Sequence, residues 1–416
     1  MKVLLLVVGF FVFVISLTQR ESGDTLFVIG GDTKGYLSPC GCTKPMTGGI
    51  RRRVTAVRGL IAGRKAIVLE NGGLVSGAGR QDELKLETLG EAFRAMQVTA
   101  VNLTSTESGL GAGAVESLAR LGKATLVTGS ADPGSLPIQP YVIKDSFLIG
   151  GVSGRASQIA NDLRTTSTAI DLAVGNLCRS AEESQLIPIL MLEGPRSEAQ
   201  RLATAFPQLR LIIFQSVGDP EPVATTVGRT TLVTPGDRSK SVVRLTFRDG
   251  SFEGYGVTHL SPEYADDPTA SRAYDRYLDR VTQAQLIEKL PRLPSAPYVG
   301  SASCQSCHSA AFDTWKKTGH AHALRTLEAE KHDRDPDCLR CHVTGLDFES
   351  GFVSRPLTPG LSDVGCESCH GAGADHSSDP GKYPMAKLGQ AACISCHSKE
   401  NSPTFNFDEY WSKIKH

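Results

Sequence analysis

Residues 298–324 read YVGSASCQSCHSAAFDTWKKTGHAHAL, and within them Cys304 and Cys307 are separated by two residues and followed at once by His308. The same spacing returns three times, as Cys338-Cys341-His342, Cys366-Cys369-His370 and Cys393-Cys396-His397. C-x-x-C-H is the attachment signature of c-type haem. Two thiols at this separation form thioethers to the vinyl groups on one porphyrin edge, and the adjacent imidazole reaches the iron as proximal ligand. Zinc knuckles or a disulfide framework are the competing readings. Tetrahedral zinc gives no reason for a histidine directly after the second cysteine four times over. The expectation is four covalently bound haem c groups.

Outward from these motifs, eight of the 11 cysteines and nine of the 10 histidines lie beyond residue 300. The motifs begin 34, 28 and 27 residues apart, which leaves each haem about one supersecondary unit of protein. The haems are therefore expected to form much of a mostly helical domain's core and to lie close together. For sixth ligands, Met385 is the only methionine after the linker, whereas His320, His322, His332, His376 and His416 are all available. Bis-His ligation and low potentials are expected. TWKKTGHAHAL reads as one helix, on which His320 and His322 stand about 200° apart and cannot face one haem. His376 follows His370 across a Gly-rich turn. The leading distal candidates are His320 and His376, with His322 and His332 behind them. His332 reads equally well as a surface residue, His416 is terminal and prone to fray, and His259 reads as structural. An iron left without a sixth ligand would be open to a small molecule.

The first half of the chain is different. TLFVIG, AIVLE, VTAVNLT, ATLVTG, IPILMLEG and LRLIIFQS read as buried strands. They alternate with helix-like stretches such as GGIRRRVTAVRGLIAG, DELKLETLGEAFRAM, GAVESLARLG and SEAQRLATAF. Strand and helix in alternation imply an α/β layered domain. TTLVTPG and SVVRLTFRDG, with its Asp-Gly turn, suggest an antiparallel portion. A charged helix over SRAYDRYLDRVTQAQLIEKL is followed by Pro291, Pro294 and Pro297, which read as a linker. The expected organisation is residues 1–22 as signal peptide or N-terminal anchor, 23–262 as the α/β domain, 263–297 as helix and linker, and 298–416 as the haem domain.

The apolar run from Val3 to Leu17 is shorter than the roughly 20 residues that cross a bilayer, which favours a signal peptide. No small-x-small cleavage site follows it, so an uncleaved anchor, and with it a membrane association, stays open. Either outcome places the rest of the chain outside the cytoplasm, in a periplasmic or equivalent compartment. A formal net charge of zero, with no long basic run, gives no support to a nucleic-acid partner.

The runs YVGSASCQSCHSAAFDTWKKTGHAHAL, DCLRCHVTGLDFESGF, VGCESCHGAGADH and ACISCH resemble the tetrahaem cytochrome c-554 family over about 110 residues. The resemblance implies a haem-cored domain that relays electrons between redox partner proteins, with most haems bis-His and one able to be five-coordinate. It makes His308, His342, His370 and His397 proximal ligands, and His320 or His322 together with His376 distal ones. No C-x-x-C-K motif is present, which argues for relay over nitrite reduction.

The α/β region more faintly resembles the 5′-nucleotidase-like metallophosphoesterases, through VIGGDTKGYLSPCGC, GGIRRR, LENGGL, AVNLTSTE and PILMLEG. That family binds two metals at strand ends, and here the ligand pattern is lost. Asp32-Thr33-Lys34 replaces Asp-x-His, Asn71-Gly72 replaces Gly-Asp, Leu103-Thr104-Ser105-Thr106 replaces Gly-Asn-His-Glu, and Gln215-Ser216-Val217-Gly218 replaces Gly-His-x-His. A fold retained without hydrolytic chemistry is expected. For Cys40 and Cys42, a structural disulfide (to each other or to Cys178), a redox-active pair and a metal site remain three readings. The leading function is electron transfer between redox partners. The alternative is an oxidoreductase acting on a small nitrogen or sulfur oxy-compound at a five-coordinate haem, and a third reading is a phosphoesterase with an appended cytochrome.

Overall fold

A computed structural model describes residues 24–39, 46–399 and 401–416. The expected signal or anchor segment, residues 1–22, and the pair Cys40 and Cys42 lie outside the described residues.

Thirteen strands among the described residues build two sheets: β1 (Thr25–Gly30), β2 (Ala66–Glu70), β3 (Ala100–Asn102), β4 (Thr125–Val127), β5 (Ile138–Gln139), β6 (Tyr141–Lys144), β7 (Phe147–Ser153), β8 (Ile187–Glu193), β9 (Leu211–Ile213), β10 (Thr225–Val227), β11 (Thr230–Val233), β12 (Ser241–Arg248) and β13 (Ser251–His259). The first sheet runs β13-β12-β1-β2-β3-β4-β5 and the second β10-β11-β9-β8-β7-β6. The helices of this region are α1 (Ile50–Ile61), α2 (Arg80–Met96), α3 (Ser105–Ser108), α4 (Ala112–Gly122), α5 (Ala156–Leu163), α6 (Ile170–Glu183), α7 (Arg196–Ala205) and α8 (Pro268–Ala284).

The continuous apolar runs have a simple cause: both faces of the first sheet are covered. In β1, Leu26 and Val28 point into a core shared with α1, α2, α4 and α8, and Phe27 and Ile29 point into the layer between the sheets. There Phe27 meets Phe147 edge-on at 4.9 Å. A third core, with Val174, Leu177, Leu202 and Leu190, seals the far side of the second sheet beneath α6 and α7. The domain is thus four layers, helix, sheet, sheet, helix. Asp249 and Gly250, at φ 47° and 80°, close the β12–β13 hairpin as the Asp-Gly pair suggested. β12 pairs antiparallel with β1, and β11, the TTLV strand, pairs antiparallel with β10 while its other edge lies parallel to β9 in the second sheet. β7 (FLIGGVS) and α6 were not singled out from the sequence.

The charged helix differs from expectation. α8 starts at Pro268, where Asp267 accepts from the Thr269 and Ala270 amides, and stops at Ala284 before Gln285 in the left-handed region. It packs on α1 and α2, burying Tyr274, Tyr277 and Val281 in the first core. The proline-rich stretch beyond it is docked: the Leu293 amide donates to the Asp347 carbonyl, and Arg292 donates to the carbonyls of Phe348 and Phe352.

The C-terminal region is made of short helices, α9 (Ser309–Lys316), α10 (Ala323–Ala329), α11 (Pro336–Leu339), α12 (Cys366–His370), α13 (Ala374–Ser378), α14 (Gln390–Ile394) and α15 (Phe407–Ile414). One small core of Leu324, Leu327, Leu339, Val343, Leu346 and Phe352 lies in its first half. α9, α13, α14 and α15 contain no fully buried residue.

Candidate haem centres and the strand-end cluster

The expected single helix over TWKKTGHAHAL is broken. α9 ends at Lys316, Thr318 is extended, and Gly319–His322 form a 3-10 turn that leads into α10. The turn changes which way the two histidines face. His320 is turned inward to His397, with ring centroids 6.1 Å apart, and His322 is left exposed.

Two further pairs form in the same way. His308 faces His376 at 6.1 Å with the rings 22° from parallel, and His370 faces His416 at 6.0 Å. Two iron–nitrogen bonds of about 2 Å, plus about 1 Å from each nitrogen to its ring centre, separate two imidazoles across one iron by roughly 6 Å. The spacing of all three pairs therefore fits an intervening haem.

Tautomers fit as well, because a metal-binding imidazole usually donates its other N–H to an oxygen. The His376 Nδ1 lies 2.9 Å from the Tyr383 carbonyl, that of His370 3.2 Å from Ala386, and that of His416 3.0 Å from Ile414. His397 Nδ1 is 3.3 Å from the Ser402 hydroxyl, and its ring stacks on Phe405 at 5.0 Å. His342 Nδ1 is 2.8 Å from the Ala323 carbonyl. Each of these leaves Nε2 free.

His332 does the reverse: its Nε2 is 3.1 Å from the Tyr274 hydroxyl, and burial holds its imidazole below the ordinary range. The structure brings neither His332 nor His322 to a motif histidine. Among the described residues no imidazole stands opposite His342. His416 is the functional candidate that sequence reasoning undervalued. Its only signal was the number of histidines, since a residue 46 positions after His370 is placed by the fold of α15 alone.

The thiols also group. Cys304 lies beside Cys366, and Cys341 beside Cys396, so the first motif neighbours the third and the second neighbours the fourth. The buried Glu367, inside the third motif, accepts from the Val299, Gly300 and Gly373 amides at 2.9, 2.7 and 2.7 Å and ties that motif to the start of the first.

At the C-terminal ends of the strands in the α/β domain, a polar cluster stands where the lost ligand motifs map. Lys34 pairs with Asp237 at 2.9 Å. Asp32 Oδ1 accepts from Gln215 at 2.8 Å, Oδ2 has no hydrogen-bond partner, and burial pushes the carboxyl up to about 8. Glu193 is held by the Ser105 amide at 2.9 Å and by the hydroxyls of Ser105 and Ser153. Glu107 takes the Leu74 amide at 2.6 Å and the Thr104 amide at 3.0 Å. The Lys34 ammonium inside the cluster, and Glu193 and Glu107 already filled with N–H and O–H donors, do not fit a two-metal centre. Among the described residues no three His, Cys, Asp or Glu side chains gather as a cation site requires. Cys178 sits in the third core, its thiol pushed up to about 11 by burial.

Comparison with known proteins divides along the same line. A family model described as cytochrome c554 and c-prime matches residues 303–371, which contain the first three motifs. Cytochrome c-554 of Nitrosomonas europaea is 30% identical over 174 aligned residues, covering 29% of this chain and 74% of that protein. The α/β part is similar in fold to a 5′-nucleotidase precursor from Thermus thermophilus, at TM-score 0.53 and 15% identity over 67% of this chain and 63% of the other. It is also similar to the calcineurin-like phosphoesterase YfkN of Bacillus subtilis, at TM-score 0.50 and 13% identity over 62% of this chain and 97% of the other.

Proposed function

The chain belongs to the cytochrome c-554 family, and from that premise we propose that it is an exported tetrahaem c-type cytochrome that passes electrons between redox partner proteins. The observation that carries this reading is the set of imidazole pairs about 6 Å apart, in which His376, His370, His416 and His397 turn Nδ1 to an oxygen. In it, Cys304/Cys307, Cys338/Cys341, Cys366/Cys369 and Cys393/Cys396 are the attachment pairs. His308 with His376, His397 with His320 and His370 with His416 are axial pairs, and His342 is a lone proximal ligand. Haem, when bound, supplies a one-electron couple at its iron. The chain's residues hold the imidazoles in one tautomer through the carbonyls of Tyr383, Ala386, Ile414 and Ala323. The adjacency of motifs one and three, and of two and four, supports close packing of the centres. Assembly of haem c outside the cytoplasm supports an extracytoplasmic site. In this reading residues 23–262 form the α/β domain, 263–297 the connecting helix and docked proline segment, and 298–416 the haem domain.

One observation favours a second role, as an oxidoreductase for a small nitrogen or sulfur oxy-compound: His342 has no facing imidazole. Both readings are tested together. Mass spectrometry of the mature protein should show four added haems, and the ferrous spectrum should respond to CO at one haem only. Fewer than four haems contradicts the central claim. No response to CO removes the second role.

A further inference from the structure

The α/β domain, together with the helix α8 packed on it, meets the haem domain at a buried polar junction that lies on the segment beginning the second attachment motif. Asp335, 6% exposed, caps α11 by accepting from the Asp337 amide at 3.0 Å. Its remaining bonds come from the other domain: Gln81 Nε2 of α2 at 2.7 Å, and the Tyr277 hydroxyl of α8 at 3.0 Å. Beside it Lys85 of α2, itself buried, pairs with Asp337. Tyr274 stacks on Tyr277 at 5.9 Å and reaches His332, completing the contact.

We propose that the α/β domain acts as a clamp on the second haem-attachment segment, with Asp335 as its positioning residue. The proposal rests on the reading of His342 as a proximal ligand without a distal partner. The other three proximal histidines are aligned from both sides, by their own segment and by an opposing imidazole. His342 has its own segment and the Ala323 carbonyl of α10 at 2.8 Å, with no opposing imidazole among the described residues. α11 is a single four-residue turn carrying Cys338, and a helix that short takes its orientation from its cap and contacts rather than from its own hydrogen-bond ladder. Three of the side chains that fix this turn come from outside the haem domain, Gln81 and Lys85 from the α/β domain and Tyr277 from α8, which packs on it. A domain whose strand-end residues do not suit metal chemistry therefore has a mechanical role: where a distal ligand is missing, it adds a constraint on the segment that carries His342.

The test uses the full-length haem-loaded protein and three variants. Asp335→Ala removes the cap and both interdomain acceptors. Asp335→Asn keeps an oxygen for the cap and for Gln81. Tyr277→Phe weakens the clamp from the α/β side without touching the haem domain, which keeps the test valid should Asp335→Ala fail to mature. The readouts are haem count by mass, individual midpoint potentials, and CO association to the ferrous protein. Asp335→Ala and Tyr277→Phe should keep four haems, change the CO association rate severalfold and shift the potential of the CO-reactive haem, with the other three potentials unmoved. Asp335→Asn should stay near wild type. Unchanged CO kinetics and potential in both Asp335→Ala and Tyr277→Phe overturn the clamp, as does an equal shift of all four potentials. A wild-type protein that binds no CO instead overturns the ligation reading, and the clamp argued from it falls too.

Discussion

Replacing Asp32 by Asn should stabilise the α/β domain, and by more as the pH rises. Asp32 is 4% exposed; Gln215 serves one of its oxygens, and the other has no hydrogen-bond partner. Burial raises its carboxyl from 3.8 to about 8, a rise opposed by Lys34 and reinforced by Asp237. A carboxyl with a raised folded pKa keeps its proton in the native state while the unfolded chain releases it. Stability is therefore fully present below pH 3.8 and is lost as pH climbs towards 8. At about 1.4 kcal/mol per unit, the shift corresponds to a ceiling of about 5–6 kcal/mol above pH 8, and to roughly 4 kcal/mol between pH 5 and pH 9. Asparagine keeps the oxygen that Gln215 uses and tolerates the left-handed backbone at φ 47°. A two-domain chain need not unfold in one step, so the measurement is hydrogen–deuterium exchange of the β1 and β2 amides at pH 5, 7 and 9, corrected for intrinsic rates. Protection in the variant should exceed wild type with a gap that widens with pH. A constant gap, or a variant that is less stable at pH 9, would refute the reasoning. The second result is what an ionised Asp32 bound to a cation would produce.

The other predictions concern single contacts. His376→Ala should add one equivalent of high-spin ferric haem to the electron paramagnetic resonance spectrum, and an unchanged spectrum excludes His376 as a ligand. Arg53→Leu leaves Glu70 buried beside an apolar side chain, since the wild-type pair is 1% exposed on each side. The cost should be about 3–5 kcal/mol in urea unfolding, most of it recovered in the Arg53→Leu/Glu70→Leu double variant. The Cys178 thiol, raised to about 11 from 9.0, should have a thiolate fraction about a hundredfold below that of an ordinary cysteine. Native protein should leave it unlabelled by maleimide at pH 7, and labelling should appear on unfolding.

Legibility followed the range of the interaction. The strands TLFVIG, AIVLE and IPILMLEG were readable because burial on both faces demands unbroken apolar runs, and the Asp-Gly turn because its backbone needs residues that accept positive φ. The break between α9 and α10 was not, because apolar spacing carries through TWKKTGHAHAL while Thr318 and Gly319 interrupt the hydrogen-bond ladder. Nor could sequence show α8 as part of a core. Its charged composition describes the outward face, and its buried tyrosines depend on α1 and α2.

Haem chemistry divides in the same way. Attachment is covalent and local, so Cys-x-x-Cys-His is complete within five consecutive residues and could be recognised before any fold was considered. The facing imidazoles join residues far apart in the chain, His320 with His397 and His370 with His416, and only the folded chain brings them together. The mismatch of the strand ends with a two-metal pattern was likewise written in Lys34 and Gln215. That Lys34 is held by Asp237, and that Asp335 binds the two domains at the second motif, depends on contacts across some 200 or more residues. Local chemistry is set by neighbours in the chain, whereas the partners of a buried charge are set by whatever the packed layers place beside it.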